Sequence, residues 1–264
     1  MNKQRGLTLI EIMISLLVGL IVIAATINIY IATIRGSTDV IRGARLNHDL
    51  DSALLLMIND IKRAGYWGGA IAADTLPANP FTQPGSDVRI YNTTGTRDCI
   101  VYSYDGGAGN TGGVDHDSNG TVDADEFYGF RLNNAGFIEM KLTGATTADC
   151  NDGTWQALTI NDTSGEQLNI TRLEFSFDPI VALALPTTSK CLNLALADAA
   201  GNPLNTLCPA TAPAGWLAGH RAIETRQVNI VITGSLANDA AVTKTVTKTV
   251  SNSVKIRTDR ILTY

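Results

Sequence analysis

From Ile12 to Ile34 the chain carries 23 consecutive residues without a charge. At about 1.5 Å per residue, a helix of that length spans roughly 35 Å, enough to cross a bilayer. The pattern then becomes amphipathic. Leu50, Leu54, Met57, Ile58 and Ile61 recur at helical spacing, with Asp49, Asp51, Asp60 and Lys62 between them. No proline precedes Pro77, and Gly65 is placed to cap a C-terminus. One helix is therefore predicted over about 7–64, with weak points at Gly36 and Gly43. Its second half should lay one apolar stripe on a core.

After this helix the chain breaks into short β-like runs separated by Gly, Asn, Asp and Pro clusters. They cover 88–91, 100–104, 128–132, 137–141, 172–178, 227–236 and 242–256, with long loops at 65–87, 105–125 and 179–220. Val228, Ile230 and Ile232 alternate with polar residues, as a half-buried strand requires. The Val-Thr-Lys-Thr repeat in 242–250 reads as a solvent-edged strand. The expected fold class is α+β: a long N-terminal helix, membrane-spanning in its first half, packed through its second half on an antiparallel β-sheet domain with long loops.

Composition narrows the classes. The 264 residues are 45% hydrophobic and 17% charged, too apolar for a disordered chain. A net charge of -5 and a pI near 5.2 argue against phosphate-driven nucleic-acid binding. Three histidines, His48, His116 and His220, make a histidine-rich metal site improbable. Lys3 and Arg5 before an apolar stretch would also suit a secretory signal peptide, but such a core is normally about 7–15 residues long. Glu11 stands at the mouth of the span. A carboxylate there is either functional, with a partner still to be found, or a bystander in the headgroup layer. Arg35, Arg42 and Arg45 follow the span, so charge counting leaves its orientation open.

The leader ending in Gly6, followed by Leu7-Thr8-Leu9-Ile10-Glu11 and the long apolar run, resembles the prepilin signature of type IV pilins and type II secretion pseudopilins. The resemblance implies cleavage between Gly6 and Leu7 by a prepilin peptidase, followed by N-methylation of Leu7. It also implies that Glu11 pairs with the terminal amine of a neighbouring subunit as helices pack into a filament. Asn28 stands where common major pilins carry proline, and Leu7 replaces the more usual Phe. A narrower resemblance, to PilW-type minor pilins, rests on Asp60-Ile61-Lys62-Arg63-Ala64-Gly65-Tyr66-Trp67-Gly68, Tyr102-Ser103-Tyr104-Asp105, Gly129-Phe130-Arg131-Leu132, and Cys150 followed by Trp155. The J-type pseudopilin of type II secretion is a structural relative.

These resemblances imply a leader at 1–6, a transmembrane and filament-core helix at 7–34, an amphipathic helix at 35–64 and a periplasmic β-rich domain at 65–264. The expected function is a minor pilin in the initiation of type IV pilus assembly, first in the bacterial inner membrane and then in the pilus. Its partners would be the prepilin peptidase, other minor pilins and the major pilin. A type II secretion pseudopilin and a membrane-anchored periplasmic binding protein or enzyme are the alternatives. No nucleophile elbow, Walker loop, dinucleotide fingerprint or zinc-protease motif occurs, so no enzyme activity or small-molecule substrate is expected. His220 reads as a surface or capping residue, and Trp67, Trp155 and Trp216 as anchors.

Two further features carry chemistry. Cys99, Cys150, Cys191 and Cys208 include no Cys-x-x-Cys pair and fit disulfides in an oxidising periplasm. Of three connectivities, Cys99–Cys150 with Cys191–Cys208 is favoured, because the second pair brackets an isolated loop; four buried free thiols are the alternative. Residues 115–126 match the twelve-residue calcium-loop pattern. Asp115, Asp117, Asn119, Thr121, Asp123 and Glu126 would be the ligands, Glu126 through both oxygens. Helices are absent from the expected flanks, so the competing reading is a hydrophilic Asp/Gly hairpin loop.

Overall fold

The computed structural model describes residues 8–68, 79–93, 97–106, 121–159, 167–185, 189–193, 204, 206–211, 219–237 and 245–264. Two compact units divide the chain, Met1–Arg45 and Leu46–Tyr264. A single helix, α1, runs Leu9–Ile61 and passes through Gly36 and Gly43 without interruption. Neither glycine acts as the expected weak point. An isolated glycine costs a helix interior only about 1 kcal/mol relative to alanine, which the turns on either side absorb.

Among the described residues, eleven strands follow in three antiparallel sheets. The first sheet is a sequential meander of β1 (Arg89–Tyr91), β2 (Cys99–Ser103), β3 (Phe127–Leu132), β4 (Ile138–Thr143) and β5 (Thr154–Ala157). The second places β9 (Gln227–Ala237) between β6 (Gln167–Ser176) and β10 (Val246–Lys255). The third places β8 (Arg221–Thr225) between β7 (Lys190–Asn193) and β11 (Arg260–Thr263). The fold is α+β, as expected. Strand β7 lies inside the stretch expected to be one long loop, and β5, β8 and β11 were not anticipated. The expected 172–178 strand begins earlier, at Gln167, and residues 242–244 of the last expected strand lie outside the described residues.

Leu46, Leu50, Ala53, Leu54, Met57 and Ile61 bury one face of α1 in a single core. They meet Ile100, Tyr102 and Phe130 from the first sheet and Ile170, Phe175, Val228, Ile230 and Ile232 from the second. The approach is close: a Cβ on Gly234 would stand 2.9 Å from Leu50 Cδ2. The alternation in β9 is only half of its story. Asn229 and Val231, on the opposite face from Val228 and Ile230, are also fully buried. Asn229 Nδ2 donates to the Asp178 carbonyl at 2.8 Å, which satisfies the nitrogen side of the buried amide.

One residue, Arg226, separates β8 from β9, so a nearly continuous strand changes sheets there. Buried Arg226 pairs with Asp87, which also lies 3.3 Å from Arg260. The arginines and carboxylates pin the corner where a desolvated charge would otherwise be costly. The disulfides join Cys99 to Cys150 and Cys191 to Cys208. The buried Glu224, opposite Cys191 in the β7–β8 ladder, accepts the Cys208 N–H at 2.7 Å.

Candidate functional site

Gly6 and Leu7 lie outside the described residues. Glu11 occupies the first turn of α1, where the positive end of the helix dipole favours a carboxylate. Thr8 Oγ1 lies 3.5 Å from Glu11 Oε2, and Ser15 donates to the Glu11 carbonyl at 2.7 Å. Large apolar side chains from Leu9 to Ile34 are exposed, and none of the residues of the most apolar 18-residue window is buried. This stretch is long and apolar enough to cross a membrane or to pack against other helices.

Two segments of the narrower resemblance, 60–68 and 102–105, meet at the other end of α1. Asp60 accepts hydrogen bonds from the Tyr102 hydroxyl at 2.6 Å and from the Tyr104 hydroxyl at 2.8 Å. Burial, reinforced by the Asp60 charge, holds both phenols well above the ordinary tyrosine range, so both remain donors. Tyr104 stacks on Tyr128 with centroids 3.9 Å apart, and Arg63 caps the Tyr104 ring at 4.1 Å. Burial pushes Tyr128 up to about 12. Gly65 then ends the helix with a φ of +74°, a conformation that disfavours any side chain, and its N–H reaches the Ser103 carbonyl at 2.8 Å. The next link is the Gly68 N–H, donated to Asp105 Oδ2 at 2.9 Å. Beside this clasp is a cleft of about 900 Å³ bordered by Leu55, Leu56, Arg63, Tyr104, Met140 and Leu142.

The acidic loop is partly described. Asp115, Asp117 and Asn119 lie outside the described residues, whereas Thr121, Asp123 and Glu126 lie within them. Glu126, the residue expected to close the site with both carboxylate oxygens, accepts a backbone amide with each of them. It is fully buried in a 3-10 turn at Ala124–Glu126. Its Oε1 accepts the Gly106 N–H at 3.0 Å and its Oε2 the Asp123 N–H at 2.9 Å. Glu126 thus ties together the two ends of the 107–120 stretch, and any cation would have to share its oxygens with these amides. Burial raises its pKa, against the lowering effect of the two N–H donors. The nearby Asp105 is also buried, and its Oδ1 has no hydrogen-bond partner among the described residues. Among the described residues, no three acidic, histidine or cysteine side chains converge as a metal cluster.

Sequence reasoning missed Asp60 as a joint, Asp105 as a buried acid, and Lys141. Lys141 is fully buried on β4, with Nζ 3.1 Å from Asp152 Oδ2. Burial lowers its pKa, partly countered by Asp152. For Asp152, burial alone would raise the value, but N–H donors from Ala145 and Thr146 and the Lys141 ammonium bring it below the usual carboxylate range. Trp155 anchors this region beneath Arg131, 4.3 Å from its ring. His220 is half-buried, and its carbonyl accepts the Tyr264 N–H at 3.0 Å. Trp67 is half-buried, and Trp216 is outside the described residues. No nucleophile and base have been brought together by these contacts.

Comparison with known families gives two matches. Residues 39–252 match the family described as prepilin peptidase-dependent protein B, and residues 1–27 match the prokaryotic N-terminal methylation motif. No curated protein and no solved structure matches the chain.

Glu126 predicts a pH dependence. Because its folded-state pKa is raised, the stability it contributes is full below its ordinary value of 4.5 and is lost as pH rises through the raised value. Glu126→Gln keeps the size and removes the titration. The melting temperature of the parent relative to this variant should therefore fall as pH rises from about 4 to about 7. Thermal unfolding of both proteins across that range checks it; a constant difference rejects the assignment.

Proposed function

We propose that this chain, which belongs to the prepilin peptidase-dependent protein B family, is a minor pilin of the PilW type that helps to start type IV pilus assembly. The observation that carries the reading is the methylation motif at 1–27 running directly into an unbroken helix whose surface through Ile34 is apolar and exposed. In this reading the leader 1–6 is removed at the cytoplasmic face, and residues 7–34 hold the subunit in the inner membrane. Residues 35–64 carry the helix into a periplasmic domain that completes the chain to residue 264. The role is structural, without catalysis. Assembly transfers the apolar helix surface from lipid to the helices of the major pilin and other minor pilins.

Glu11 gives that transfer its register. A carboxylate near hydrocarbon is costly alone but favourable beside a positive terminal amine, because the attraction grows as the local dielectric falls. Cleavage after Gly6 creates such an amine at Leu7, and methylation leaves it charged. Each subunit would thus bring one amine and one carboxylate, to be paired between neighbours.

A calcium ion at the acidic loop is also proposed, with Asp115, Asp117, Asn119, Thr121, Asp123 and Glu126 as its ligands. The unpartnered, buried Oδ1 of Asp105 beside this loop supports a cation in the neighbourhood. The ion would neutralise clustered carboxylates and stabilise the fold by mass action, with no role in any reaction.

Three outcomes are expected. Native protein should begin at Leu7 with a methylated amine; intact-mass measurement showing an uncut Met1 terminus would overturn the pilin reading. Glu11→Ala should leave a stable membrane protein that enters filaments poorly, scored by subunit content in sheared pili. Normal incorporation would remove Glu11 from the mechanism. Excess calcium should raise the melting temperature over that in EDTA, with a weaker response in Glu126→Gln. Equal melting temperatures, with no calorimetric heat of binding, would return 115–126 to an ordinary turn.

A further inference from the structure

Most polar side chains in the apolar stretch are satisfied by their own helix. Ser15 donates to the Glu11 carbonyl at 2.7 Å, Thr26 to Ile23 at 2.8 Å and Thr33 to Ile29 at 2.8 Å. A hydroxyl has one proton, so each of these groups has spent its only donor. Asn28 differs. Its amide gives one N–H to the Ala24 carbonyl at 2.9 Å, which leaves a second N–H and the Oδ1 acceptor. These face hydrocarbon if the helix stands alone, where an unmet amide is expensive.

The positions around Asn28 form a seam. Ile14, Leu17, Ile21, Ala24, Asn28 and Ile31 follow alternating steps of three and four, the spacing of two helices crossing at about +20°. The large side chains of the seam are exposed. Ala24, one turn before Asn28, is small enough to let a second backbone come near the amide.

We infer that Asn28 pairs with Asn28 of a second copy of this chain in the membrane. The inference rests on the reading of residues 7–34 as a membrane helix. The occupant follows from depth. Two copies inserted with the same orientation place Asn28 at the same level automatically, and a two-fold axis between them lets each Oδ1 accept the other's free N–H. Any different helix would need a polar group placed by chance at that level. The bonds to Ala24 are kept, so pairing spends only the unmet donor and acceptor.

The test uses the full chain in lipid vesicles, one population carrying donor dye and the other acceptor dye. Energy transfer should rise with protein-to-lipid ratio and fall on dilution with unlabelled chain. Asn28→Leu removes both reciprocal bonds and should weaken association by about 10- to 300-fold, twice the free energy of a single interhelical hydrogen bond in membranes. Asn28→Gln, which retains the amide, should recover most of it. A parent chain that floats with the vesicles yet stays monomeric overturns the pairing, as does a Leu variant that associates equally tightly. A parent chain that fails to float overturns the membrane reading itself, and the pairing with it.

Discussion

Asp60 sits in the last turn of α1, where the negative end of the helix dipole makes a carboxylate unwelcome. The two hydroxyls from Tyr102 and Tyr104 reverse that preference. Hydrogen bonds to a charged acceptor contribute about 1.5–3 kcal/mol each, several times the dipole penalty of about 0.3–1 kcal/mol. Both donors stand on or just beyond β2, so the helix is fixed against the first sheet at the point where its backbone bonds run out. Arg63 adds a second hold through the Tyr104 ring. Gly65 and Gly68 then lead the chain away along Ser103 and Asp105. Removing Asp60 would take from two buried phenols the carboxylate that accepts from both.

That joint brings two separated stretches of sequence together. Asp60-Ile61-Lys62-Arg63-Ala64-Gly65 and Tyr102-Ser103-Tyr104-Asp105 are the two sides of one set of contacts. The sequence showed each stretch but not that they meet, because strand register and a helix terminus decide it. The helix itself was legible from its periodicity and from the absence of proline. Most strands of the first two sheets were legible from β-branched and aromatic runs. Strands β5, β7, β8 and β11 were not: each has four or five residues with at most two of them β-branched or aromatic. Lys141 shows the limit most sharply. It is fully buried while its neighbour Leu142 is 41% exposed, the reverse of what polarity predicts. Asp152, eleven residues later, supplies the reason, together with the Thr146 carbonyl at 3.3 Å.

The acidic loop makes a related point about Glu126. The spacing pattern leads to the expectation of a metal ligand, whereas burial makes it a clamp on the Gly106 and Asp123 amides. The two roles differ in what the carboxylate asks of its surroundings. As a clamp it is strained by its own charge, which is why burial raises its pKa. A cation would relieve that strain without displacing the amides, since each carboxylate oxygen has two lone-pair directions and one amide occupies only one of them.

The long helix thus meets two solvents, and its polar groups are matched to each. In residues 46–61 the apolar stripe is covered by sheets of the same chain, and Asp60 finds its partners there. In the stretch up to Ile34 the apolar surface is left uncovered, while hydroxyls are closed onto the helix's own carbonyls. Glu11, a charge, and Asn28, an amide with bonds to spare, are not closed in this way. A hydrophobic surface alone attracts any lipid or helix without regard to register, since sliding one apolar turn past another changes little. A polar group in hydrocarbon changes that, because displacement by a single turn leaves it unmet. The groups that fold the subunit are consumed inside it, and those that remain are the ones able to set how it meets another.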